Sequence, residues 1–225
     1  MKLSIIIPVL NERENIERNL PDLQWLRSLG HELILADGGS DDGSLGAAQR
    51  YADQIVSSPA GRSLQMNAGA RVASGGVLLF LHVDTELPPH CVSALCQKVV
   101  DKAPVWGRFD VSLSGNHFLF RIIEGMMNWR SRITGIATGD QGIFVNKKLF
   151  LRCGGFAEIS LMEDIEICSR LKRLVKPLYL SEKVITSSRR WEENGILTTV
   201  FLMWKLRLAY WKGVDPDILA SQYYG

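Results

Sequence analysis

Residues 77–85 read Val77-Leu78-Leu79-Phe80-Leu81-His82-Val83-Asp84-Thr85, an apolar run entered through Gly75-Gly76 and left through an imidazole and a carboxylate. A run this apolar has no solvent face, so it predicts a strand buried on both sides, the central strand of a parallel sheet. His82 and Asp84 stand two residues apart and would share one side of the pleat. Ligands of open α/β sheets bind beyond the carboxyl ends of the strands, and an imidazole with a carboxylate delivered there can hold a cation.

Upstream, Leu3 to Pro8 is a β-branched strand closed by proline, and Asn11 to Leu29 carries Ile16, Leu20, Leu23 and Leu26 at helical spacing. His31 to Ala36 is a second strand. Strand, helix and strand in about thirty residues make a right-handed βαβ unit. The second strand runs into Asp37-Gly38-Gly39-Ser40-Asp41-Asp42-Gly43, a glycine turn before a helix from Ser44 to Tyr51. An acid at the end of the second strand is where dinucleotide-binding proteins hold a ribose. The first strand-to-helix turn, Pro8-Val9-Leu10-Asn11-Glu12, has no G-x-G-x-x-G, which argues against NAD or FAD but leaves a ribose contact by Asp37 open. Gln54 to Ser57 is a short strand, and the helix opening at Gly61-Arg62 leads into the central strand. Arg62 at a helix start suits an anion, although a solvated arginine has the same signature.

Downstream, Pro88-Pro89 starts a helix to about Val100, and Val105 to Leu113 alternates as a half-exposed strand should. Leu119, Ile122, Ile123, Met126, Met127 and Ile133, with Arg130 among them, form a helical stripe that predicts core packing. Gly139-Asp140-Gln141-Gly142 is a turn feeding a strand at Ile143 to Val145, and Gly154-Gly155 is a second turn. Ser160 and Glu163 have capping-box spacing, so helix initiation accounts for Glu163. Asp164 has no such duty and is placed in the first turn, toward the crevice. Short strands at Leu178 to Leu180 and Val184 to Thr186 precede Arg189-Arg190-Trp191. A last helix carries Leu197, Val200, Phe201, Trp204, Leu208 and Trp211 on one stripe.

The chain of 225 residues has a net charge of +2 and no Lys/Arg block longer than two, which argues against nucleic acid as a partner. Its four cysteines make no C-x-x-C pair or zinc spacing, and reduced thiols in the cytoplasm are the simple expectation. The first apolar run is short, contains Pro8 and lacks a small-residue cleavage site, so it reads as a strand and not a signal peptide. Residues 189–213 hold five Lys/Arg and two Asp/Glu, a local charge of +3. Their apolar stripe fits either a helix lying on an anionic membrane or one docked on the sheet.

Together, Pro8-Val9-Leu10-Asn11-Glu12, Asp37-Gly38-Gly39-Ser40 with Asp42-Gly43, Arg62 through Ala70, His82-Val83-Asp84, Glu163-Asp164 and Arg189-Arg190-Trp191 resemble the inverting family 2 glycosyltransferases of the GT-A fold. The likeness covers nearly the whole chain and is greatest to a short, single-domain bacterial subgroup. It implies an α/β fold with a Rossmann-like, mostly parallel central sheet flanked by helices and a C-terminal helical extension. Residues 1–188 would be the glycosyltransferase domain, with a nucleotide-binding half at 1–86 and an acceptor half at 87–188, and 189–225 the extension. It also implies sugar transfer with inversion from a UDP- or GDP-sugar to an acceptor hydroxyl or lipid phosphate, assisted by a divalent cation, Mn²⁺ or Mg²⁺. The resemblance puts Pro8, Leu10 and Glu12 on base and ribose, Asp37 on the nucleoside, and Arg62 near base or phosphate. Asp84 would carry the cation, and Asp164 would be the catalytic base. Gly139, Asp140, Gln141, Glu163, Arg189, Arg190 and Trp191 would line the donor-sugar or acceptor side. A lipid-linked acceptor would put the protein at the inner face of a membrane. The family's usual Asp-x-Asp has His82 at its first position here. Either Asp84 alone anchors the cation through the diphosphate, or His82 ligates it and favours Mn²⁺, or His82 is only hydrogen-bonded at a strand end. Two other classes fit parts of this pattern: a nucleotidyltransferase, which would release pyrophosphate, and a non-catalytic sugar-nucleotide-binding protein.

Overall fold

The computed structural model describes residues 1–99 and 104–224. Its frame is an eight-stranded mixed sheet. Strand β1 (Leu3–Val9) pairs in parallel with β2 (Glu32–Asp37), and β2 with β3 (Gln54–Ser57). On its other side β1 pairs in parallel with β4 (Val77–Phe80). All of β1, β2 and β4 is buried, as their unbroken apolar runs require. The short β5 (Thr85–Glu86) lies at the far edge, beyond β6 (Trp106–Leu113), β7 (Ile143–Asn146) and β8 (Leu178–Thr186). Both β4 and β6 pair antiparallel with β7, β6 runs parallel to β8, and β8 pairs antiparallel with β5. Four of the seven pairings are parallel, in keeping with a mostly parallel sheet.

The expected strand over residues 77–85 is therefore two elements. Regular pairing stops at Phe80, and Thr85 joins β8 instead. The expected helix from Asn11 to Leu29 is also divided, into α1 (Arg13–Asn19), a single 3-10 turn at Pro21–Leu23 and α2 (Gln24–Ser28). Pro21 has no N–H to continue α1, so the ladder restarts after it. Helix α3 (Ser44–Ala48) is shorter than the sequence suggests, and α4 (Arg62–Val72) opens at Arg62. Helix α4 lies close on the sheet because a side chain at Gly69 would put its Cβ 2.5 Å from Ile6 Cγ2. Helix α5 (Pro89–Val99) is followed to Val99, and its expected end at about Val100 lies outside the described residues.

Strand β6 is not half-exposed. Seven of its eight residues are buried, including Arg108 and Asp110, which pair with each other. Their cover is α6 (Phe118–Thr134), which divides the expected apolar stripe, Ile123 and Met127 packing inward and Ile122, Met126 and Ile133 facing out. Its polar Glu124, Asn128 and Ser131 face the sheet, while Phe118, Ile122, Met126, Trp129 and Ile133 are exposed. The cause is an unmet backbone need. Only Trp106 and Gly107 of β6 pair with β7, so later N–H groups on that side have no strand partner. Side chains of α6 take over: Val111 N–H donates to Asn128 Oδ1 at 2.9 Å, Asn128 Nδ2 donates to Val111 O at 3.0 Å, and Leu113 N–H donates to Glu124 Oε1 at 2.6 Å.

Helix α7 (Lys147–Arg152) follows β7, and α8 (Glu163–Leu174) buries Ile165, Cys168 and Leu171. The two short strands expected near the end are one strand, β8, with a register shift opposite Phe109 and Asp110. Helices α9 (Arg189–Asn194), α10 (Ile196–Trp211) and α11 (Pro216–Tyr224) complete the described chain. Leu206 of α10 and Leu219 of α11 join the buried cluster that contains Ile6, Phe80 and Trp106. Of the α10 stripe, Val200 packs inward against Leu113, Phe120 and Ile123, and the rest does not dock. Leu197, Phe201, Trp204, Leu208 and Trp211 are all exposed.

Asn128→Ala removes both bonds to Val111 and strands two buried backbone groups. The expected loss is about 2–4 kcal/mol of unfolding free energy by denaturant titration, and a loss below about 1 kcal/mol would show that α6 does not substitute for a strand.

Candidate active site

Chain direction decides what meets at the carboxyl edge of the sheet. Parallel strands β1, β2 and β4 end there at Val9, Asp37 and Phe80. Antiparallel β7 begins there, because Ile143 sits opposite Phe80. Helices α4 and α8 follow or precede parallel strands and start at the same edge. The segments around residues 8–12, 37–43, 62, 82–84, 139–141 and 163–164 are thus neighbours, however far apart in sequence.

Past Phe80, buried Leu81 and Val83 alternate with part-exposed His82 and Asp84. No strand pleat sets the two side chains, because residues 82–85 form a turn in which Thr85 N–H donates to His82 O at 3.1 Å. Asp84 makes no hydrogen bond or ion pair among the described residues. His82 is engaged: its Nδ1 lies 3.4 Å from Asp140 Oδ1. Gly139 covers the other nitrogen so closely that a Cβ there would lie 2.4 Å from His82 Nε2. The imidazole is thus spoken for by the 139–140 turn. No group of three or more His, Cys, Asp and Glu in metal-holding reach occurs among the described residues. Asp84 fits a cation as a single carboxylate anchor, with the other positions left for phosphate oxygens and water.

Asp164 occupies the second position of α8, where Gly139 N–H donates to its Oδ2 at 3.1 Å and Ile165 N–H to its Oδ1 at 2.7 Å. Burial lifts its carboxyl above the usual range, and Asp140 adds to this, against the two N–H donors and His82. Glu163 beside it is 6% exposed and pushed up to about 7, by burial first and by Asp164 second. No capping box explains Glu163. Met162 is the residue before the helix, in a left-handed conformation at φ 70°, and the Ser160 hydroxyl bonds Asp217 instead. Asp140 goes the other way. Although burial opposes its charge, His82, Arg62 and Arg130 hold it below the ordinary carboxylate value. Three acids in one cleft thus differ in basicity, as acid–base sites require.

Solvent reaches Arg62, yet protein surrounds it. Burial opposes its charge, but the phenols of Tyr224 and Tyr223 and the carboxylates of Glu163 and Asp140 raise its pKa. Arg130 faces Asp164 and Asp140, which partly offset the lowering that its burial causes. Tyr223 is held in turn by Arg190, whose Nη2 donates to Tyr223 O at 2.6 Å and whose guanidinium lies 3.6 Å from the ring centroid.

Other expected site residues have local duties. Pro8 is buried in β1, and part-buried Glu12 accepts from Asn15 Nδ2 at 2.5 Å, whereas Leu10 is exposed past the strand end. Asp37 is 1% exposed and accepts from Gly39 N–H at 2.9 Å and Ser40 N–H at 3.2 Å, so its carboxylate shapes its own turn. Gln141 is fully buried and donates to Asn128 and Ser131 under α6. Trp191 packs against Leu113, Phe120 and Ile123, and Arg189 is exposed on α9, so of this trio only Arg190 approaches the cleft, through Tyr223.

Sequence reasoning missed Gln65, Arg130, Tyr223 and Tyr224. Gln65, 3% exposed, ties the two strand ends together by donating to Val9 O at 2.6 Å and Ala36 O at 2.9 Å. Its signal was a polar residue on the same helix face as Met66, Gly69 and Ala70. Arg130 was visible as the one cation inside an apolar stripe. The tyrosines carry no local signal.

Among solved structures, the chain is similar to the mannosyltransferase PcManGT of Pyrobaculum calidifontis in complex with GDP-Man and Mn²⁺, with TM-score 0.66 and 19% identity over 92% of this chain and 60% of that one. S. aureus TarS in complex with UDP-GlcNAc gives TM-score 0.67 and 18% identity over 83% of this chain and 58% of that one. These likenesses show the GT-A fold. Among curated sequences, a dolichol-phosphate mannosyltransferase of Pyrococcus furiosus is 30% identical over 106 residues, 44% of this chain and 30% of the relative. An undecaprenyl-phosphate 4-deoxy-4-formamido-L-arabinose transferase of Serratia proteamaculans is 28% identical over 156 residues, 63% of this chain and 47% of the relative. The chain spans less than half the length of these curated relatives. The family described as glycosyl transferase family 2 matches residues 4–159, more than half of the chain, and the chain therefore belongs to that family.

Proposed function

We propose that the protein transfers a sugar from a UDP- or GDP-sugar, with inversion, to an acceptor hydroxyl or lipid phosphate, and that Asp164 is the base that takes the acceptor proton. The observation that carries this is the environment of Asp164. Its carboxylate is aimed by Gly139 N–H and made more basic by burial, Asp140 and Arg130 act on it directly, and Arg62 stands near Asp140 and Glu163 in the same cleft. An attacking hydroxyl needs such a base on one face of the sugar, and the leaving diphosphate needs positive charge on the other. Arg62 is the residue we assign to the diphosphate. Exposed Leu10 and the adjacent Asn11–Glu12 turn would pack against the base, with residues 1–86 as the donor half, 87–188 as the acceptor half and 189–225 as an extension against it.

A divalent cation supplies charge neutralisation on the departing diphosphate when bound. Asp84 would hold it, and His82 would serve to position Asp140. PcManGT, similar in fold, has been solved with GDP-Man and Mn²⁺, and TarS with UDP-GlcNAc, which supports this donor class. The printed names of the two curated relatives, with dolichol phosphate and undecaprenyl phosphate, support a lipid-linked acceptor at a membrane's inner face. No helix among the described residues is long and apolar enough to cross a membrane.

Asp164→Asn keeps the size and one acceptor but not the base, so turnover should fall by about 10²–10⁴ while nucleotide affinity is retained. Turnover within a few-fold of wild type would remove Asp164 from the role.

A base with a raised pKa works only once deprotonated, so kcat/KM should climb as pH rises above the ordinary aspartate range. Asp140→Asn takes away the negative charge that raises the Asp164 pKa and should move that limb acidward. An unmoved limb in the pH profile would separate the two carboxyls.

Asp84→Ala should weaken nucleoside diphosphate binding at least about tenfold with Mn²⁺ present and little without it, as read by calorimetry. Equal affinities with the metal would place the cation elsewhere.

A further inference from the structure

Among the described residues, ten of the nineteen exposed large apolar side chains lie on α6 and α10. The α6 stripe at 118, 122, 126, 129 and 133 and the α10 stripe at 197, 201, 204, 208 and 211 step by three or four residues, so each is one continuous helix face. Phe201 is 72% exposed and Trp211 79%. The helices are joined at a seam where Phe120 and Ile123 of α6 meet Trp191, Ile196 and Val200. Monomeric proteins rarely leave so much adjoining apolar surface in water.

The exposed charges on the two helices have one sign, and the acids of neighbouring α9 have partners there, Glu192 in Ser188 and Glu193 in Arg189. Helix α10 contains no Asp or Glu, and the sole acid of α6, Glu124, is buried against the sheet. Lys205 and Lys212 flank the α10 stripe, exposed and without an ion pair among the described residues. Arg121 and Arg132 flank that of α6, where they also pair with Glu124 and Asp110.

We infer that α6 and α10 together form a docking surface for an anionic lipid bilayer, lying in its interface plane with the lysines at headgroup level. The inference goes beyond the transfer reaction and does not require it. Two observations select a bilayer over a second copy of the chain. Symmetric pairing would set this patch against itself, bringing its cations together with no exposed acid on either helix to meet them. Anionic headgroups supply the missing charge, and Phe118, Trp129, Phe201, Trp204 and Trp211 give the aromatic content that favours the headgroup boundary. The surface also borders the active site, since Arg130 follows Trp129 and faces Asp164 and Asp140.

The test is co-sedimentation of the full chain with phosphatidylcholine vesicles, with and without phosphatidylglycerol, and tryptophan quenching by brominated lipid. The wild type should bind the anionic vesicles with its tryptophan emission shifted to the blue, and bind less near 1 M salt, where the screening length is about 3 Å. Trp129→Glu and Trp204→Glu should each lower partitioning at least about tenfold, and Leu29→Glu, exposed elsewhere, should not. Lys205→Glu with Lys212→Glu repeats the test with surface charges alone, should either tryptophan variant fail to fold. Metal-dependent donor hydrolysis without vesicles should be unchanged in these variants, which keeps the result separate from that of Asp164→Asn. No binding to anionic vesicles at low salt, variants that bind as wild type, or a dimer by light scattering that shields the tryptophans from added quencher would each overturn the inference.

Discussion

The antiparallel pairing of β4 with β7 is the constraint on which the site depends. Because Ile143 sits opposite Phe80, the turn before β7 must arrive where β4 ends, and residues 139–141 are delivered beside residues 82–84. Two contacts follow. Gly139 N–H reaches the Asp164 carboxylate, and Asp140 reaches the His82 ring. Gly139 itself is required there, since any side chain would occupy the position of His82 Nε2. A parallel β7 would have put this turn at the opposite edge, and no change of side chains could compensate.

Within the cleft, the same acidic chemistry is put to different uses by surroundings. Asp140 has two arginines and an imidazole near it and stays ionised, while Asp164 and Glu163 share a poorly hydrated corner that raises both. The cleft is closed on one side by α11, whose Tyr223 is gripped by Arg190 and whose phenols adjoin Arg62. A residue pair expected at the acceptor thus acts one step removed. Arg190 holds the tyrosine, and the tyrosine meets the cleft.

The orientation of α6 links backbone accounting to surface chemistry. Once Asn128 and Glu124 are committed to β6, the apolar residues half a turn from them, Ile122, Met126, Trp129 and Ile133, must face away from the sheet. Helical geometry allows no other outcome, because a face offset by half a turn from the buried one is outside. The polar layer beneath α6 also takes in Gln141, so the turn that carries Asp140 is anchored through the same network.

By itself, the sequence determined the parallel half of the sheet. Residues 3–8, 31–36 and 77–80 are largely apolar runs with turn residues at their ends, and local pattern is enough when an element is buried on both faces; the part-exposed edge strand at 54–57 is bounded by its turns. It also determined the segments of the carboxyl edge, and so Asp164, Arg62, Asp84 and the family likeness. It misjudged elements whose state depends on a distant partner. Val105 to Leu113 alternates like an edge strand, yet Arg108 and Asp110 are buried because they neutralise each other. The stripes of α6 and α10 have a core pattern, but periodicity names two faces and not which one meets the sheet. Tertiary structure alone decided that question, together with the fate of Asp37, Gln141 and Trp191 and the presence of Tyr223 beside Arg62. Those outcomes follow from hydrogen bonds and charge pairs between residues far apart in the chain, and no local window contains both partners.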